Sequence, residues 1–172
     1  MPANGKPVLI LLPSYAFRDQ EYHATQQALI SKGLSLVVAS TAAQGAEGNA
    51  GEMLTPDILL DAVDPADYRG VVLIGGHGAS QYWHDRKAHD LLRAFNKNGQ
   101  IIAAIDRAPA SLGAAGMLKD KHVTGHMSIY EKLINYGAEY TGRPVERDGN
   151  LITGESARSS SAFAEELSKA FT

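Results

Sequence analysis

The sequence predicts an α/β fold in which helices cover both faces of a mostly parallel sheet. Three observations support this prediction: short apolar segments recur along the chain, segments with helical spacing separate them, and glycines stand at several boundaries. A wholly apolar strand is typical of a sheet that is buried on both faces. The 172 residues suit one domain, and no linker or internal repeat divides them. We therefore expect a single domain over residues 1–172.

The N-terminal part of the chain predicts two strands around one helix. Pro7–Leu12 and Leu34–Ser40 are predicted strands, because their apolar residues do not alternate with polar ones. Asp19–Lys32 has apolar residues at helical spacing and is followed by Gly33, which indicates a helix with a glycine stop. These elements form the first strand–helix–strand unit of the predicted sheet.

The middle of the chain continues the alternation after a less regular region. Thr41–Gly51 is rich in small and polar residues and indicates a loop, while Asp57–Ala62 indicates a short helix. Val71–Ile74 is a third apolar strand and runs into Gly75-Gly76. Arg86–Asn98 has one apolar and one charged face, which is typical of a helix packed on a sheet.

The C-terminal part adds a fourth buried strand and several shorter elements. Ile101–Ile105 is apolar throughout and is followed at once by Asp106 and a small-residue helix that ends at Gly116. The remaining predicted elements are a strand at His122–Thr124, a helix at Ser128–Tyr136, a hairpin at Val145–Thr153 around Asp148-Gly149-Asn150, and a closing helix at Ser159–Phe171.

Composition and charge exclude several classes of protein. The formal charge of −3 and the pI of about 6.0 give no basic surface for nucleic acid. No apolar run approaches the roughly 20 residues of a membrane span, and the N-terminus lacks the apolar core of a secretory signal. We therefore expect a cytoplasmic protein without nucleic-acid or membrane partners. The absence of cysteine excludes disulfides and thiolate catalysis.

Polar residues follow three of the predicted strands, where ligands bind in open α/β sheets. The three groups are Pro13-Ser14-Tyr15 with Arg18, Asp19 and Glu21, then Gly75-Gly76-His77-Gly78, and then Asp106-Arg107-Ala108-Pro109. Asp106, between a buried strand and a helix, has the sequence layout of a nucleophile elbow, and a helix N-terminus favours an anion there. A simple helix cap is the alternative interpretation of this aspartate.

An ordered set of segments resembles the ThiJ/PfpI superfamily along nearly the whole chain. These segments are Pro7–Leu12, Arg18-Asp19-Gln20-Glu21-Tyr22, Lys32-Gly33, Val37–Ser40, Val63–Tyr68, Val72–Gly78, Ala103–Pro109, Ala115–Lys119, Val123-Thr124, Leu133–Tyr140 and Asp148–Thr153. The resemblance implies a flavodoxin-like three-layer sandwich that forms a homodimer or a larger homo-oligomer. It also implies a cleft in which a glutamate meets a cysteine on the elbow.

The resemblance assigns roles to several residues and also shows departures. Glu21 falls on the family's glutamate, His126 on a histidine near the cysteine, and Gly75-Gly76 on a glycine pair whose amides line the site. Asp106 stands where the family has its cysteine, and Arg107-Ala108 replaces the usual His-Gly or Ala-Gly. The family's thiol-dependent reactions therefore do not transfer to this chain.

Two neighbouring carboxyl groups offer another chemistry. If Glu21 and Asp106 lie within hydrogen-bond reach, one pKa rises and the pair shares a proton. Such a pair suits acid–base chemistry on a small molecule, of hydratase, lyase or hydrolase type, with His126 assisting. The predicted substrate-binding and oxyanion residues are Tyr15, Arg18, Gly75, Gly76, His77, Arg107 and Ala108.

Two other interpretations remain open from the sequence. In the first, the protein catalyses no reaction and is a binding or chaperone-like protein, or an engineered Cys-to-Asp variant, in which Asp106 imitates an oxidised cysteine. Alternatively, Glu21, Asp106, His126 and His77 bind a metal ion, although no HExxH-like spacing supports this. The glycines after the third strand lack the GxGxxG spacing of a dinucleotide site, and we predict neither a cofactor nor a metal. Glu155 and Arg158 precede the last helix, and a contact with the rim of the cleft is one interpretation of them.

Overall fold

The computed structural model describes residues 5–172. Its strands are β1 Val8–Leu11, β2 Leu36–Ser40, β3 Ala46–Glu47, β4 Met53–Leu54, β5 Ile58–Leu59, β6 Gly70–Leu73, β7 Ile101–Ile105, β8 His122–Val123, β9 Glu139–Tyr140, β10 Val145–Asp148 and β11 Leu151–Gly154. Its α-helices are α1 Asp19–Ser31, α2 Arg86–Lys97, α3 Pro109–Ala114, α4 Tyr130–Asn135 and α5 Ser160–Phe171.

Within these residues, seven strands form one sheet in the order β10-β11-β7-β6-β1-β2-β5. All neighbouring pairs are parallel except β10 and β11, which form the predicted hairpin. The prediction of a flavodoxin-like, mostly parallel sheet is therefore confirmed. Strands β1, β6 and β7 are adjacent, so the segments that follow them meet at one edge.

Helices cover both faces of the sheet, because successive strand residues point to opposite sides. Leu9 and Leu11 belong to the core under α2 and α3, whereas Val8 and Ile10 belong to the core under α1 and α5. The aromatic and leucine residues of α5, such as Phe163, are fully buried against the second face. These two apolar layers hold the polar edge of the sheet in a fixed geometry.

The predicted helix at Asp57–Ala62 is wrong in its first half. Ile58–Leu59 instead pairs with β2 as an edge strand, and a short 3-10 helix, Leu60–Ala62, follows. Asp57 causes this alignment: its carboxylate accepts the N–H of Val38 at 2.9 Å, and its own N–H donates to the Val38 carbonyl. This pairing joins residues that are 19 positions apart, so the local pattern does not show it.

Two further elements differ from the sequence prediction. The predicted loop Thr41–Gly51 contains β3, which pairs with β4 in a small antiparallel ribbon. The predicted helix Ser128–Tyr136 begins as a 3-10 helix at Met127–Ile129 before α4. Among residues 5–172, none of the helices combines the length and apolar content needed to cross a bilayer.

Candidate active site

Three segments meet at the carboxyl edge of β1, β6 and β7. The N–H of Arg18, which precedes α1, donates to the Gly75 carbonyl after β6 at 3.0 Å. Gly75 also lies against the Asp106 turn after β7. A Cβ atom at Gly75 would lie 2.5 Å from the Ile105 carbonyl oxygen, 2.6 Å from Asp106 Cβ and 2.9 Å from Glu21 Oε1. This crowding requires glycine at position 75, and it shows that the Glu21 and Asp106 side chains approach the same point.

Asp106 occupies a strained turn between β7 and α3. Its φ of 66° lies in the left-handed region, which asparagine and aspartate tolerate better than most residues. The residue that caps α3 is Ala108, so the alternative interpretation of Asp106 as a helix cap is wrong. The turn is held from outside, because the indole N–H of Trp83 donates to the Arg107 carbonyl at 3.0 Å.

The Asp106 carboxylate is buried and well supplied with hydrogen-bond donors. Its side chain is 1% exposed. Oδ2 accepts the N–H of Gly76 at 2.9 Å and lies 3.3 Å from a guanidinium nitrogen of Arg107. A backbone donor and a neighbouring cation therefore stabilise its negative charge inside the protein.

Glu21 lies behind Asp106 and is fully buried. Its Oε1 accepts the N–H of Gly75 at 2.9 Å, whereas its buried Oε2 has no hydrogen-bond partner among residues 5–172. Burial first, and then the charge of Asp106, raise the pKa of Glu21 from 4.5 to about 8, although the Gly75 N–H and two arginines oppose the shift. Glu21 is therefore protonated at neutral pH. The two carboxyl groups interact through charge, and no hydrogen bond joins Oε2 to Asp106.

Three of the four backbone amides with a predicted oxyanion role donate to acceptors within the protein. The N–H groups of Gly75 and Gly76 already donate to the carboxyl groups of Glu21 and Asp106. The N–H of Ala108 donates to the Ile105 carbonyl at 3.1 Å. Two side-chain carboxyl groups and one backbone carbonyl thus occupy these three donors.

A cavity of about 400 Å³ opens above Asp106, which is a size that suits a small molecule. Of the described residues, those that line it are Arg18, Asp106, His126, Met127, Glu155, Ser156, Ala157 and Arg158. The N–H of His126 donates to the Asp106 carbonyl at 2.8 Å, which ties the histidine to the elbow. His126 Nδ1 accepts the N–H of Ser128 at 3.1 Å, so the proton of a neutral ring lies on Nε2.

The structure separates some predicted site residues from the cavity. Glu21 and the two glycines lie behind Asp106, and the Arg107 guanidinium is directed to Asp106. Tyr15 is 50% exposed, with its hydroxyl 3.5 Å from Ser80 Oγ, and His77 is exposed on the glycine-rich turn. Neither residue is among the described residues that line the cavity.

The opposite wall of the cavity comes from the segment before α5. Glu155 and Arg158 form an ion pair there, and the arginine holds the pKa of Glu155 below its ordinary value. Three further residues line the cavity, and no motif in the sequence indicates them, because only the fold brings them there: Met127, Ser156 and Ala157. Within residues 5–172, no group of three or more His, Asp or Glu side chains is arranged to hold a metal ion.

Comparisons with known proteins agree with this fold. The family model described as DJ-1/PfpI matches residues 6–170. An uncharacterized protein of Methanocaldococcus jannaschii is 33% identical over 170 residues, which cover 97% of this chain and 82% of that protein. The deglycase PfpI of Pyrococcus furiosus is 28% identical over 145 residues, which cover 84% of this chain and 87% of the deglycase.

A solved structure and two further names extend the comparison. A ThiJ/PfpI domain protein from Brachyspira murdochii has a TM-score of 0.93 to this chain at 26% identity, over 98% of this chain and 97% of that one. Other similar proteins are named as a putative cysteine protease of Bacillus subtilis and a glutathione-independent glyoxalase of Caenorhabditis elegans.

Proposed function

Since this chain belongs to the DJ-1/PfpI family, we propose that it is a cofactor-independent enzyme that performs acid–base chemistry on a small molecule without a thiol. The family includes deglycases, a glyoxalase and a putative cysteine protease. One observation carries the proposal: a buried carboxylate, Asp106, is held at a positive φ at a cavity beside a second carboxyl group that is neutral at pH 7. Strained, charged residues of this kind cluster at functional sites.

In this proposal, Asp106 transfers the proton, because it is the one member of the carboxyl pair that lines the cavity. Gly76 and Arg107 fix one of its oxygens, so the carboxylate is oriented before a substrate binds. Glu21 is a positioning residue. Because it is protonated at neutral pH, its carboxyl group lies behind Asp106 without adding a second negative charge to the site. His126, on the cavity wall, is placed to accept or donate a second proton. These roles suit a hydro-lyase or hydrolase type of reaction.

A turnover assay tests the proposal directly. Small hydroxy acids, lactones and carbonyl compounds would be incubated with the purified protein, with and without prior iodoacetamide treatment. We expect turnover that iodoacetamide does not abolish, since the chain contains no cysteine. An activity that is lost after alkylation would come from a contaminating thiol enzyme and would contradict the proposal.

A second candidate function is supported by the occupied amide donors. Asp106 itself accepts the Gly76 N–H, as an oxidised cysteine on the elbow would. This amide therefore has an acceptor without a substrate oxyanion. A binding or chaperone-like protein has no need of turnover. The two functions differ in one result: a binding protein retains ligands in the cavity but converts none of the compounds in the assay to product.

We also propose that the chain forms a homodimer or a larger homo-oligomer, as the sequence resemblance implies. Met127, Tyr130 and Ile134 support this, because all three are large apolar side chains that are at least 42% exposed. Sedimentation equilibrium of the full chain is expected to give at least twice the monomer mass of 18.4 kDa. A mass that stays at the monomer value at all concentrations would contradict this assembly.

A further inference from the structure

The arginines around the cavity differ in their partners. Arg107 lies 3.3 Å from Asp106, and Arg158 pairs with Glu155, so each has a carboxylate of its own. Arg18 lines the same cavity, yet among residues 5–172 no carboxylate lies within ion-pair distance of it. Its Nε is buried and has no hydrogen-bond partner. That atom is closed to the cavity, whereas the rest of the half-buried guanidinium, which has no acceptor among the described residues either, is available to a ligand oxygen there.

The two acidic side chains next to Arg18 in the fold do not neutralise it. Asp19 is directed to the loop after β3: its Oδ2 accepts the Ala50 N–H at 2.9 Å, and a Cβ at Gly48 would lie 2.2 Å from its Oδ1. Glu21 binds the Gly75 N–H and is protonated at neutral pH. Arg18 is therefore the cavity cation whose charge the protein leaves unpaired.

We propose that the cavity selects a small substrate that bears a carboxylate, and that Arg18 binds this carboxylate. The inference rests on the proposed function and adds a specificity-determining residue to it. A single carboxylate matches one free guanidinium, with which it forms charge-assisted hydrogen bonds. A phosphate dianion fits less well, because Arg107 and Arg158 are paired with Asp106 and Glu155, so that Arg18 leaves one net positive charge, which a single carboxylate neutralises. With its carboxylate on Arg18, the rest of the substrate lies over Asp106.

Binding of acetate to the full chain tests this inference without a known substrate. Acetate, acetamide and inorganic phosphate would each be titrated into ¹⁵N-labelled protein, with amide shifts of the cavity residues as the readout. We expect acetate to bind at least about tenfold more tightly than acetamide or phosphate, which corresponds to about 1.4 kcal/mol. Phosphate that binds more tightly than acetate would overturn the assignment to carboxylates.

Variants identify the residue that is responsible. Arg18→Gln is expected to weaken acetate binding at least about tenfold, and Arg18→Lys by less, because lysine keeps the charge without the bidentate geometry. Arg86→Gln, at an exposed arginine at the start of α2, is the matched control and is expected to bind acetate like the wild type. Equal acetate binding by folded Arg18→Gln and wild type would overturn the inference.

The variant Asp106→Asn separates this inference from the proposed function. It retains Arg18, so we expect it to bind acetate at least as well as the wild type even when turnover is lost. Turnover by a protein that does not bind acetate would refute the Arg18 site alone. Acetate binding by a protein without any turnover would refute the enzymatic proposal and leave the anion site standing.

Discussion

Turnover by Asp106→Asn is expected to fall about 10²- to 10⁴-fold, the usual contribution of a positioned general acid or base. Asparagine has nearly the same shape, tolerates the left-handed φ of 66°, and keeps an oxygen that can accept the Gly76 N–H. The substitution therefore removes the base and leaves the turn. The measurement is kcat for the best substrate found in the panel, together with a thermal unfolding curve for each protein.

Asp120 provides a matched control for this substitution. It is also an aspartate with a positive φ, 61°, but it is exposed and lies outside the cavity. Asp120→Asn is expected to turn over like the wild type, which separates the loss of a cavity carboxylate from any general effect of Asp-to-Asn changes at strained positions. If folded Asp106→Asn also keeps the wild-type kcat, Asp106 is not the proton-transferring group.

The parts of the site that follow from the sequence are those that one strand and the next few residues determine. The apolar segment Ile101–Ile105 followed by Asp106 predicts both a buried strand and a polar turn at the sheet edge, and the structure has both. The sequence predicts that one carboxyl group of the pair has a raised pKa without indicating which, and in the structure it is Glu21. The larger cause of this raised pKa is burial rather than the charge of Asp106, and the sequence does not show it, because it shows which residues are acidic but not how deep each one lies.

The parts that could not be predicted depend on hydrogen bonds between distant segments. Gly75 donates to a carboxyl group 54 positions away, and this contact removes an amide that would otherwise appear free for a substrate. The unpaired state of Arg18 is of the same kind, since Asp19 follows it directly in the sequence but is directed to Ala50. Sequence spacing places donors and acceptors at an edge, and only the packed fold determines which of them remain available.

The second large effect concerns stability, which is expected to fall as pH rises from about 4.5 to about 8 because of Glu21. In this window the folded state keeps the proton on Glu21, whereas the unfolded chain, with the ordinary value of 4.5, has released it. The folded state therefore binds more protons, and raising the pH favours unfolding by about 1.4 kcal/mol per pH unit from this group. Urea unfolding at several pH values between 4 and 9 measures this slope.

Glu21→Gln is expected to remove that slope. Glutamine is neutral at every pH and keeps an oxygen for the Gly75 N–H, although its amide adds a buried donor where Oε2 has no partner. That cost does not depend on pH, so the informative quantity is the slope and not the absolute stability. Glu131→Gln, at an exposed glutamate on α4, is the control and should keep the wild-type slope. Parallel curves for wild type and Glu21→Gln would show that Glu21 is already ionised in the folded protein.

The same measurement on Asp106→Asn tests whether burial contributes more than the charge of Asp106 to the raised pKa of Glu21. Removing the Asp106 charge takes away the second cause of the raised pKa of Glu21 and leaves the first, which is burial. The fall in stability should therefore end at a lower pH than in the wild type but should not disappear. If it disappeared, repulsion between the two carboxylates rather than burial would be what keeps Glu21 protonated. The pair would then act as one coupled acid, and Glu21 would have a direct part in the proton transfer that the present geometry assigns to Asp106 alone.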